Sequence, residues 1–104
     1  MDFEWDEVKN AANVRKHGID FADAVRVFKG PVVTWIDDRF DYGEVRQVSI
    51  GTIAGVAIVT VVHTDRAGQT RMISARPASS RERKRYESSI RSATDHGRTG
   101  QDQG

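Results

Sequence analysis

The chain has 104 residues and no cysteine, with 16 basic against 15 acidic residues for a net charge of +1. That length supports one domain with a modest core, and the missing cysteines exclude disulfides and thiolate metal sites and suit a reducing cytoplasm. No apolar run approaches the roughly 20 residues that cross a bilayer, and the first residues, MDFEWDE, are too acidic for a signal peptide, so a cytoplasmic protein without membrane attachment is expected.

Phe3 to Trp5 reads as a short strand, and Asp6 is placed to cap a helix over 7–17, with Val8, Ala11, Ala12 and Arg15 on its packing side. Lys16-His17 followed by Gly18 is a helix stop. Asp20 caps a second helix, FADAVRVF, in which Phe21, Ala24, Val25 and Phe28 recur at i, i+3, i+4 and i+7 and predict one buried face. After Gly30-Pro31 the period changes to that of strands. VVTWID is followed by a polar loop, then by the alternating VRQVSIGTI. GVAIVTVV is almost continuously apolar and β-branched, as a central strand covered on both faces requires. Asp65 to Gly68 signals a hairpin turn, QTRMISAR is the last strand, and Pro77 ends it. Ser79-x-x-Glu82 fits a capping box that opens a final helix to about Ala93. Its apolar stripe is only Tyr86, Ile90 and Ala93, too thin to hold it firmly without another molecule. One α+β domain over 1–93 is expected, in the order β-α-α-β-β-β-β-α, with a disordered polar tail over 94–104.

Charge is strongly polarised along this order. Residues 1–70 hold eight basic and eleven acidic residues, a balance of −3. Residues 71–91 hold Arg71, Arg76, Arg81, Arg83, Lys84, Arg85 and Arg91 against Glu82 and Glu87, a balance of +5. A basic block of this kind points to a polyanion, and the planar guanidinium fork matches phosphate oxygens in pairs. Cleavage of RNA without metal needs a base for the 2′-hydroxyl, cations for the phosphorane charge and an acid for the leaving oxygen. His63, Arg71, Arg76, Glu82, Arg83 and Tyr86 are the residues of suitable chemistry here.

Each of these also has an ordinary role. His63 ends the central strand, where it can exchange protons near neutrality or simply bond backbone. A three-residue turn over Arg66–Gly68 would set His63 opposite Arg71; a two-residue turn at Ala67-Gly68 would set it opposite Met72. The capping box accounts for Glu82, packing accounts for Tyr86, and the cations of the last helix circle it, so some are solvated. Arg15, Lys16 and His17 suit a helix C-terminus without further function. Trp5 and Trp35 lie outside the basic stretch and are expected in the core or in strand pairs. His17, His63 and His96 show no ligand spacing, so neither metal nor other cofactor is expected.

The blocks FEWDEVKNAANVRKHGIDFADAVRVF and VVHTDRAGQTRMISARPASSRERKRYE resemble the BrnT family of bacterial type II toxins, over about residues 2–90. The matching motifs are FEWD, RKHGIDFADA, the HT before the turn, and ISAR leading to RERKRYE. The resemblance implies a RelE-like fold: a small, mostly antiparallel sheet with two N-terminal helices packed on it and a basic C-terminal helix. It implies a metal-independent endoribonuclease that cleaves RNA to halt translation. The implied partner is a BrnA-type antitoxin with a ribbon-helix-helix domain, through which alone the complex meets operator DNA. On this basis Arg76 and Arg83 are expected to stabilise phosphate and His63 or Tyr86 to transfer the proton, with Arg71, Arg81, Lys84 and Arg85 binding substrate. Two other readings compete: a non-catalytic RelE-like inhibitor of a protein target, and a plain basic nucleic-acid-binding module. No helix-turn-helix pattern or RNP-like aromatic strand supports the last.

Overall fold

The computed structural model describes residues 2–38, 41 and 43–103, with side chains as far as Ser92. Five strands form one mixed sheet in the order β1-β5-β4-β3-β2: β1 (Asp2–Glu4), β2 (Val33–Asp37), β3 (Arg46–Ile53), β4 (Ala57–Arg66) and β5 (Gln69–Pro77). β1 runs parallel to β5, and the other pairs are antiparallel. Among the described residues three α-helices complete it, α1 (Glu7–His17), α2 (Phe21–Ala24) and α3 (Ser80–Gln103), so the element order is the expected one. The expected tail over 94–104 falls where side chains lie outside the described residues, although the bounds of α3 run to Gln103.

The caps form as their residue types require. Asp6 accepts from the N–H groups of Val8 (2.8 Å) and Lys9 (3.2 Å) and opens α1. Gly18 takes φ 74° and donates to the Val14 carbonyl, closing it. The packing side of α1 differs from the periodic reading. Val8 is 78% exposed and Ala11 and Ala12 are exposed too, while Asn10 and Asn13 are buried. The reason lies at the sheet edge. β1 pairs with β5 only as far as Glu4↔Arg71, leaving the outer backbone of Ala75 without a strand beside it. The Asn13 side chain fills that role: it donates to the Ala75 carbonyl (2.8 Å) and accepts from the Ala75 N–H (3.1 Å). A buried peptide edge must be paired, and one amide group satisfies both of its atoms. Asn10 likewise accepts from the Phe21 N–H (2.9 Å), tying α1 to α2.

The second helix is also shorter than its pattern suggests. After Ala24 the chain tightens into a 3-10 turn over Val25–Lys29. With three residues per turn, the fully buried positions become Phe21, Ala24 and Val27, and Val25 and Phe28 are only partly covered. These side chains meet Val59, Val61, Met72 and Ala75 in the main core. Gly51 admits this approach, because a Cβ there would lie 2.6 Å from Val27 Cγ1.

Candidate functional site

Two features of β5 position the basic residues. The first is the turn. Ala67 and Gly68 both take positive φ (51° and 83°), as a two-residue hairpin requires, so Arg66 pairs with Gln69 and His63 pairs with Met72. The second is a bulge. Pairing passes from His63↔Met72 to Val62↔Ser74 and leaves Ile73 unopposed. Met72 and Ala75, three residues apart, therefore both reach the core. Strict alternation would send Arg71 and Arg76 to opposite faces; the extra residue brings both to the face away from α1 and α2.

On that face Arg76 is gripped by Glu82 through two bonds, Nη1 to Oε1 at 2.6 Å and Nη2 to Oε2 at 2.8 Å. Glu82 also closes the expected capping box: its carboxylate accepts from the Ser79 N–H (2.9 Å), and its own N–H donates to Ser79 Oγ (3.2 Å). The buried Thr60 hydroxyl, on the neighbouring strand, adds a bond to Glu82 Oε1 (3.1 Å). Burial alone would raise the Glu82 pKa; Arg76, the Ser79 N–H and Thr60 outweigh it and hold the carboxyl at about 2. Arg71 lies nearer the β1 edge, with Nη1 3.6 Å from Glu4 Oε2. Arg76 and Glu82 border a pocket of about 180 Å³ floored by Val48 and Val62 and walled by Trp35, Asp37 and Asp38. Trp35 is half-buried, and the Arg85 guanidinium lies 3.9 Å from its ring centre.

The other expected residues are spread out. Arg81, Arg83 and Lys84 are exposed along the first turns of α3. Tyr86 is 7% exposed and donates its hydroxyl to the Pro31 carbonyl (3.2 Å), anchoring α3 to the approach of β2. His63 lies on the opposite face, 4% exposed, with Nε2 2.7 Å from Ser49 Oγ and its ring edge-on to Phe28. Its Nδ1 is buried with no hydrogen-bond partner among the described residues. Desolvation lowers its pKa, and Asp65 only partly offsets this, so the ring is neutral at pH 7. The structure thus joins Arg76 to Glu82, sets Arg71 further along the same face (Arg76 pairs with Thr60, Arg71 with Thr64), places Arg85 over Trp35, and puts His63 on the other face. Thr60, Trp35 and Asp38 were not among the expected site residues. A threonine within the apolar run AIVTVV was the one sequence sign of a polar contact on that face.

A larger cavity, about 470 Å³, lies elsewhere, between the end of α1 and the β3–β4 turn. His17, Asp23 and Arg26 line its polar side, and it contains none of the basic residues of 71–91. Among the described residues no group of three histidine, aspartate or glutamate side chains could hold a metal ion, and no helix is long and apolar enough to cross a membrane.

Residues 5–82 match the family described as "Ribonuclease toxin, BrnT, of type II toxin-antitoxin system". The fold is similar to the 1.1 Å crystal structure of the Brucella abortus ribonuclease toxin BrnT, with a TM-score of 0.58 and 29% identity over 76% of this chain and 97% of that one. No curated protein sequence matches the chain. The matched segment contains β2 to β5, the bulge and the Arg76–Glu82 clamp, and the chain belongs to the BrnT family of ribonuclease toxins of type II toxin–antitoxin systems.

Proposed function

We propose that this chain is a RelE-like, metal-independent endoribonuclease of the cytoplasm, with its cleavage site on the sheet face around Arg76. The observation that carries the reading is the Arg76–Glu82 clamp, where a cation fork and an ionised carboxylate share one position at the foot of a basic helix, with Arg71 further along the same sheet face. An RNA phosphate that engages the Arg76 guanidinium competes with Glu82 for the same N–H groups. Glu82 then loses the contact that does most to depress its pKa and becomes a better acceptor for the 2′-hydroxyl proton. Arg76 stabilises the charge developing on the phosphorane; as the 2′-oxygen bonds to phosphorus the P–O5′ bond breaks, the proton taken by Glu82 passes to the leaving 5′-oxygen, and Arg71 and Arg83 hold the flanking backbone. Tyr86 sets the position of α3, and His63 supports the sheet from its other side. Both side chains already carry these internal contacts, which favours Glu82 as the proton acceptor.

The partner in this reading is a BrnA-type antitoxin with a ribbon-helix-helix domain, which covers the basic face and carries the complex to operator DNA. The test is purified protein incubated with RNA in EDTA, with and without equimolar antitoxin. Cleavage that survives EDTA and stops with antitoxin is the expected result. Arg76→Ala, folded by circular dichroism, is expected to cleave at least about 100-fold more slowly, in line with loss of a charge-stabilising donor. Wild-type cleavage by that variant would remove Arg76 from the site.

A further inference from the structure

The pocket beside Arg76 has a composition that phosphate binding alone does not require. Its floor is apolar (Val48 and Val62), one wall is the indole of Trp35, and the rim opposite Arg76 carries Asp37 and Asp38. Carboxylates repel a phosphate, so this end of the pocket suits a neutral group that donates hydrogen bonds. A volume of about 180 Å³ takes one planar heterocycle against the indole. We infer that this pocket is a nucleobase subsite selective for guanine, in which the base lies along Trp35, its N1–H and 2-amino group donate to Asp38, and Arg76 takes the adjoining phosphate.

The choice among bases follows from their edges. Guanine alone presents two neighbouring donors on its Watson–Crick edge, which match the two oxygens of one carboxylate. Adenine and cytosine offer one amino donor beside a ring acceptor, and uracil offers one imino donor between two carbonyls. An acceptor facing Asp38 is repelled. A guanidinium from a protein partner has the same paired donors but brings no phosphate for Arg76, which borders the site. A neutral base that carries its own phosphate is complementary to both ends at once. Trp35, expected from the sequence in the core or a strand pair, thus becomes a stacking wall with Arg85 over its ring.

This inference rests on the ribonuclease reading and is tested with the full chain. Fluorescent 2′-O-methyl pentanucleotides, which cannot be cleaved, differ only at the central base, and binding is followed by anisotropy. Guanine is expected to bind about ten-fold more tightly than the other three, the scale of one bidentate base contact. Asp38→Asn, at an exposed position, is expected to abolish that preference while the other oligonucleotides still bind. Trp35→Phe keeps an aromatic wall and is expected to retain the preference with weaker binding overall. Equal binding of all four bases, or a guanine preference that survives Asp38→Asn, overturns the subsite. Displacement of bound RNA by an arginine-rich peptide with no base preference also overturns it, in favour of a protein guest. Base-indifferent cleavage of unmodified RNA by the same preparation sinks the subsite alone. Absence of both cleavage and binding sinks the ribonuclease reading with it.

Discussion

Glu82→Gln isolates the ion pair at the centre of the site, because glutamine keeps the other bonds of that position. Its carbonyl still accepts from the Ser79 N–H and the Thr60 hydroxyl, and glutamine serves in a capping box as glutamate does. What is lost is the charge facing Arg76. A shift from 4.5 to about 2 corresponds to about 3 kcal/mol if converted in full. The Arg76 side chain is 36% exposed, so solvent screening reduces this to about 1–2 kcal/mol. The pH window follows from the direction of the shift. A carboxyl depressed in the folded state contributes its full stabilisation above about 4.5 and loses it as pH falls towards 2. Urea unfolding of wild type and variant at pH 7 is therefore expected to differ by about 1–2 kcal/mol, and the gap is expected to narrow steadily below pH 4.5. An equal gap at pH 7 and pH 3 would mean that shape or capping, not charge, accounts for the loss. No gap at pH 7 would mean that the clamp contributes nothing to the fold.

Three further outcomes follow from the same structure. Asn13→Leu leaves the buried Ala75 N–H and C=O unpaired and is expected to cost about 2–4 kcal/mol, read as a lower urea midpoint; Val8→Ser, on the exposed side of the same helix, is expected to cost less than about 0.5 kcal/mol. Gly51→Ala forces a Cβ to within 2.6 Å of Val27 Cγ1 and 3.1 Å of the Val27 carbonyl, with an expected loss of about 1–3 kcal/mol in the same assay. Because burial depresses the His63 pKa, the unfolded chain takes up a proton first, so this residue's contribution is intact above about pH 6.5 and declines as pH falls from there. His63→Gln is expected to flatten the pH dependence of stability between 7 and 5, and an unchanged slope would assign it to another group.

Much of this protein was determined by local sequence. The caps at Asp6, Asp20 and Ser79, the stop at Gly18, the continuous β-branched run of β4 and the hairpin at Ala67-Gly68 each depend on neighbours a few residues away, so element order and type follow from the chain itself. The motifs from FEWD to RERKRYE likewise carried the family, and those of residues 71–86 the importance of arginine. Side-chain destinations depended on distant backbone. Asn13 is buried because the β5 edge, 62 residues away, has an unpaired peptide to satisfy. His63 faces the core by the plain alternation of β4 with Val59 and Val61, whereas Arg71 shares a face with Arg76 because one residue of β5 bulges out of register, a displacement that period-two reasoning does not contain. Trp35 meets Arg85 only after α3 folds back across β2. Local hydrogen bonding selects the elements, whereas pairing across the sheet decides which side chains meet, and the site belongs to the second kind of constraint.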